Sequence, residues 1–182
     1  MKKILFAIIA VIAIAAAAVA ILAFIAPTSF EVERDIVINR PRSDVFDYVR
    51  LLKNQNEWGP WLKKDPNTRL DYEGIDGTVG FKSRWDSENS EVGAGEQEIV
   101  KLVEDERIDV DLRFKKPYES RGKGYTILET AGEGKTKVRW GFGGDMPRPM
   151  NILLLFMDFD KEAGQEIEEG LATLKKILET QN

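Results

Sequence analysis

The sequence predicts an α+β architecture: a curved antiparallel sheet of about six or seven strands wrapped on a long C-terminal helix, with an N-terminal transmembrane helix ahead of it. Three observations carry this prediction. An uninterrupted apolar run occupies Ile4 to Ala26. Apolar and charged residues alternate across the middle of the chain, the period of half-buried strands. After Pro149 the apolar period lengthens to that of a helix.

The first run follows Met1-Lys2-Lys3 and contains no charge, proline or glycine. At helical rise it spans roughly 34 Å, enough to cross the hydrocarbon core of a bilayer. A cleaved signal peptide is the alternative, with Ala18-Val19-Ala20 as a small-x-small site. Against it, the run exceeds a usual h-region, and Ile21 to Ile25 stay apolar where a polar c-region belongs. Lys2 and Lys3 flank one end; Glu31, Glu33, Arg34 and Asp35 flank the other. The positive-inside rule then places the N-terminus in the cytoplasm and the folded part outside, as a single-pass membrane protein. The expected organisation is an anchor over 1–26, a short linker over 27–29 and one domain over 30–182.

Glu31 to Ile38 alternates and reads as a strand. Asn39-Arg40-Pro41 signals a helix start, and Val45, Phe46, Val49 and Leu52 follow at helical spacing. A second short helical piece carries Glu57 to Leu62, with Pro60 and Asp65-Pro66 as punctuation. Thr78 to Trp85 places Val79, Phe81, Ser83 and Trp85 on one strand face. Asp86 to Gly95 is a polar hairpin loop, and Glu96 to Val103 is the next strand. Arg107 to Phe114 alternates most clearly, with Ile108, Val110, Leu112 and Phe114 against Asp109, Asp111 and Arg113. Arg121 to Glu129 and Lys135 to Phe142 are two further strands around Gly132-Glu133-Gly134. From Phe156 onward, Ala163, Ile167, Gly170, Leu171, Leu174, Ile177 and Leu178 form one apolar stripe. The concave face of the sheet is the available partner for that stripe.

Several segments resemble the START-like superfamily. They are Val37 to Pro41 leading into Val45 to Val49, Trp58-Gly59-Pro60-Trp61 ahead of Asp65-Pro66, and the strand entry Gly77 to Gly80. Trp140-Gly141-Phe142 and the last helix from Gly170-Leu171 to Leu174-Lys175 complete the set. The order of these segments carries the resemblance, which covers roughly residues 30–180. It points to the group described as polyketide cyclase/dehydrase and lipid transport (SRPBCC), in a membrane-anchored form. The resemblance implies a helix-grip fold with a cavity for a hydrophobic ligand and no shared catalytic machinery.

Composition narrows the chemistry. The net charge is −5 with acidic and basic residues interspersed, which argues against a nucleic-acid partner. There is no Cys and no His, so no thiolate nucleophile, no Ser-His-Asp triad and no imidazole-ligated metal is available. No cofactor is expected: Gly93-x-Gly95 and Gly132-x-Gly134 lack the lysine of a phosphate loop and read as hairpin glycines.

The candidate ligand-binding residues are Trp58, Trp61, Phe81, Trp85, Phe114, Tyr125, Trp140, Phe142 and Phe156. Trp58 and Trp61 either close one end of the sheet or form a rim. Phe81, Trp85, Phe114, Trp140 and Phe142 either fill the core or line a cavity. Ser83, Tyr125 and Thr126 are polar groups able to orient a ligand. The run from Ile152 to Met157 is apolar on every side, a pattern of burial or lipid contact, and it reads as a flap at the cavity mouth. Asp109 and Asp111 read as outer-face charges paired across strands with Arg121 or Lys123. Three readings stand at this point: a membrane-anchored binding domain for a lipid or other hydrophobic small molecule, a cyclase- or dehydratase-type enzyme, and a ligand-free interaction domain.

Overall fold

The computed structural model describes residues 2–156 and 158–180, without the side chain of Phe159; Met157, part of the expected apolar flap, lies outside this set. Two compact units emerge, Met1–Phe30 with Asp145–Phe159 and Glu31–Gly144 with Asp160–Asn182.

The first unit is built on α1 (Lys2–Ile25), a helix long and apolar enough to cross a membrane. Its large side chains are exposed almost throughout. Helix C-termini leave carbonyls without partners, and here residues 145–156 supply them. Arg148 Nε and Asn151 Nδ2 both donate to Ala23 O, at 2.9 and 2.8 Å, and Asn151 Nδ2 also donates to Ala26 O at 3.0 Å. The Arg148 guanidinium lies over the Phe24 ring at 5.7 Å. Asn151 sits in a 3-10 helix, Met150–Leu155.

The second unit holds a seven-stranded sheet in the order β1-β7-β6-β5-β4-β3-β2. Its strands are β1 (Ser29–Ile38), β2 (Arg69–Glu73), β3 (Lys82–Asp86), β4 (Ala94–Val103), β5 (Arg107–Lys116), β6 (Ser120–Thr130) and β7 (Thr136–Asp145). From β2 to β7 consecutive strands pair antiparallel. The helices α2 (Arg42–Val49), α3 (Gln55–Trp58) and α4 (Trp61–Lys64) lie between β1 and β2 in the chain, and those two strands form opposite edges. α5 (Phe159–Thr180) is the long final helix. Its buried residues Ile167, Leu171, Leu174 and Leu178 recur at helical spacing and join Val32, Ile38, Phe46, Ile99 and Val138 in the core.

Two expectations change. β2 is an additional strand, absent from the periodic reading: Leu70 and Tyr72 alternate with charged residues over only five positions, nearly all exposed. The strand expected from Thr78 starts instead at Lys82, because Gly77 and Gly80 take φ of 75° and 92° and make a turn of that segment. Val79 is consequently exposed rather than inward.

The outer sheet face is an ion-pair lattice. Arg113 bridges Glu96 and Glu98 at 2.6 and 2.9 Å, and Arg84 joins Glu96, Asp71 and Glu73. Burial opposes ionisation of Glu96, but the hydrogen bonds from Arg84 and Arg113 outweigh it and hold its carboxyl below the usual range. Asp109 pairs along its own strand with Arg107 at 2.7 Å, not across to Arg121 or Lys123.

Candidate functional site

The inner face of the sheet and the two one-turn helices enclose a cavity of about 330 Å³. Glycine makes room for the rings that shape it. Gly95 lies opposite Trp85 in the ladder, and a Cβ there would meet the indole at 2.5 Å. On α5, a Cβ at Gly170 would meet the Trp140 ring at 2.7 Å.

Trp140 is the central wall. The rings of Trp58 and Trp61 pack edgewise against it, with centroids at 4.5 and 5.6 Å. Gly59-Pro60 separates these two tryptophans, and the turn lets both reach the same indole. Trp61 Nε1 donates to Glu166 Oε2 of α5 at 3.1 Å, and Lys64 pairs with the same carboxylate. That bond is the main reason the Lys64 ammonium is held above its usual range. At the other end Trp85 and Phe114 pack edgewise at 5.9 Å, with Trp85 Nε1 donating to Val92 O. Val110, Leu112 and Gly124 contribute to the walls between. Gln97 Nε2 donates to Gln55 Oε1 at 2.8 Å, and the buried Ser83 also lines the space. Apolar walls with a few polar groups are the usual make-up of a small-molecule site, and the volume sits near the lower end of the usual range of about 300–1,000 Å³.

Five of the nine candidate residues meet at this cavity: Trp61, Trp85, Phe114, Trp140 and Phe142. The other four lie elsewhere. Phe81 is fully buried and stacks on Tyr72 at 6.1 Å, so its ring fills core beyond the wall. Trp58 is buried behind Trp140 and borders a separate space of about 20 Å³ with Thr126.

Tyr125 also contributes to the boundary of that small space, but its hydroxyl points to the outer face. It donates toward Glu31 and Glu33, at 2.7 and 2.8 Å, and Arg107 lies over its ring. Burial and these two carboxylates raise the Tyr125 phenol above its ordinary value. The reason is strand parity: Tyr125 lies opposite Gly141, while Thr126 lies opposite Trp140. Phe156 belongs to the other unit and is exposed.

Gln55, Gln97 and Glu166 line the cavity without having been singled out. Glu166 precedes Ile167 at the border of the helical stripe, the one signal that marks it in the sequence.

No family model and no curated protein matches the chain. Solved structures do. Truncated norcoclaurine synthase from Thalictrum flavum superposes with a TM-score of 0.62 at 8% identity, over 87% of this chain and 98% of that one. This is the helix-grip fold. The Aha1 dimer from Colwellia psychrerythraea is similar at TM-score 0.56 and 17% identity, over 83% and 97% of the two chains. Ara h 8.0201 is similar at TM-score 0.54 and 14% identity, over 84% and 99%. The helix-grip assignment agrees with the START-like resemblance of the sequence, and at these identities the likeness concerns the fold.

Proposed function

We propose that the protein is a membrane-anchored binding domain for a lipid or other hydrophobic small molecule, held between the sheet and the C-terminal helix. The observation that carries this reading is the cavity of about 330 Å³ walled by Trp61, Trp85, Leu112, Phe114, Trp140 and Phe142. Apolar burial supplies affinity at about 25 cal/mol per Å², before the costs of ordering are subtracted. The Gln55–Gln97 pair, Ser83 and Glu166 are the polar groups available to orient one end of the ligand. In this reading α1 crosses the bilayer with Lys2 and Lys3 on the cytoplasmic side and keeps the domain near an apolar ligand source.

The test is purification of residues 28–182 without detergent, followed by native and denaturing mass spectrometry. The expected result is a stoichiometric apolar molecule released on denaturation. An empty protein that also binds no hydrophobic probe contradicts the reading and favours an interaction domain.

A further inference from the structure

The segment after β7 carries an apolar stripe that the ligand cavity does not use. In a 3-10 helix residues three apart eclipse one another. Met150, Leu153 and Phe156, the last capping the Met150–Leu155 helix, fall on one such row, and they are 51%, 45% and 76% exposed. The next row points the other way in character: Asn151 is fully buried, and both its amide hydrogens go to carbonyls at the end of α1. Arg148 adds a cation at the same helix end, donating to Ala23 O and lying over Phe24. A positive charge at a helix C-terminus is favoured by the helix dipole. Met146 N donates to Thr28 O at 2.9 Å, so the chain just past α1 is also tied to this segment. The segment is thus fastened to the last turn of an apolar helix. On that turn Phe24 and Ile25 are themselves exposed.

From this we infer that residues 146–156 form a second membrane contact, an interfacial wedge clamped to the anchor by Arg148 and Asn151. The inference rests on the reading of α1 as membrane-spanning, and its occupant is the lipid surface around the exit of that helix. If α1 crosses the bilayer, its last turn lies at the headgroup level. The Met150–Leu153–Phe156 row belongs to the segment that Arg148 and Asn151 tie to that turn. Interfacial elements of this kind bury their apolar face about 5–10 Å into the headgroup and acyl boundary. The clamp fixes the depth of the wedge relative to the anchor.

The absence of cysteine makes the test clean. Single cysteines at Val11, Leu153, Phe156 and Glu133 are introduced into the full chain, labelled with an environment-sensitive fluorophore and reconstituted into phosphatidylcholine vesicles. The expected result is blue-shifted emission at Val11→Cys, Leu153→Cys and Phe156→Cys, with water-like emission at Glu133→Cys. Water-like emission at Leu153→Cys and Phe156→Cys, with Val11→Cys still in lipid, overturns the wedge and leaves the anchor standing. Water-like emission at Val11→Cys removes the anchor and the wedge together. Adding Arg148→Ala to the Phe156→Cys protein is expected to red-shift the label while the Val11 label stays in lipid. An unchanged Phe156 label in that variant overturns the clamp.

Discussion

Trp140→Ala and Phe114→Ala separate the structural from the ligand-facing part of the cavity wall. Trp140 is only 7% exposed, and its ring carries edgewise contacts from Trp58 and Trp61. Truncating a large aromatic in such a setting costs about 3–5 kcal/mol. At roughly 2–4 °C per kcal/mol for a domain of this size, the melting temperature falls on the order of 10 °C. Phe114 is half-buried and its ring packs edgewise on Trp85. Its removal loses about 0.5–1.5 kcal/mol of ring pairing and a fraction of the burial energy, roughly 1–2 kcal/mol together. The melting temperature then falls by roughly 2–8 °C. The exposed side of the Phe114 ring lines the cavity, so losing about 1.4 kcal/mol of ligand contact weakens binding about tenfold. The assay is a thermal melt alongside titration of a solvatochromic apolar probe into residues 28–182. The prediction is a large stability loss for Trp140→Ala, and for Phe114→Ala a small stability loss with about tenfold weaker binding. Phe114→Ala that melts as low as Trp140→Ala, with probe affinity unchanged, refutes this division of the wall.

Four further outcomes follow from the structure. Gly170→Ala gains about 1 kcal/mol of helix propensity, but its Cβ meets a Trp140 ring that Trp58 and Trp61 hold in place, so a thermal melt should show net destabilisation. Gly164→Ala puts its Cβ 2.1 Å from the Arg34 guanidinium, which Asp160 and Glu168 hold at 2.9 and 2.8 Å; the guanidinium must shift and loosen those ion pairs, so the same melt should show less gain than helix propensity alone gives. Leu112→Trp places an indole in the cavity; probe binding should be lost while the melting temperature changes little, and retained binding would relocate the site. On acidification, Glu33 and Glu96 carry the fourth prediction. Arg139 chiefly, with Tyr125, lowers the Glu33 carboxyl below its ordinary value of 4.5, and the Arg84 and Arg113 hydrogen bonds lower Glu96 against its burial. Their contribution is complete above about pH 4.5 and is lost as pH falls through the depressed native values. Denaturant midpoints measured down the acid limb should fall less steeply in Glu33→Gln and Glu96→Gln than in the parent chain.

Much of the architecture was legible because period and polarity agree. Arg107 to Phe114 alternates without a break and becomes β5, and Ile167 to Leu178 keeps helical spacing and becomes the buried face of α5. β2 was not legible: Arg69 to Glu73 alternates, with Leu70 and Tyr72 on one face and Arg69, Asp71 and Glu73 on the other, but over only five residues, nearly all exposed, at the sheet edge. The cavity was partly legible for a related reason. Trp85, Phe114, Trp140 and Phe142 sit at inward positions of clear strands, whereas Tyr125 looked eligible by residue type alone. Its direction is set by pairing with Gly141, a matter of register between β6 and β7 that no single strand reveals. Phe81 shows the complementary limit: period gives the inward face, but only packing against Tyr72 decides between core and cavity wall.

The most direct test of ligand binding is photolabelling of the full chain in lipid vesicles with an alkyl diazirine probe, the adducts being mapped by peptide mass spectrometry. Ligand binding in the cavity predicts adducts at Trp61, Leu112, Phe114 and Trp140 in addition to those on α1, with the cavity adducts lost in Leu112→Trp. Adducts confined to residues 2–25 would contradict it.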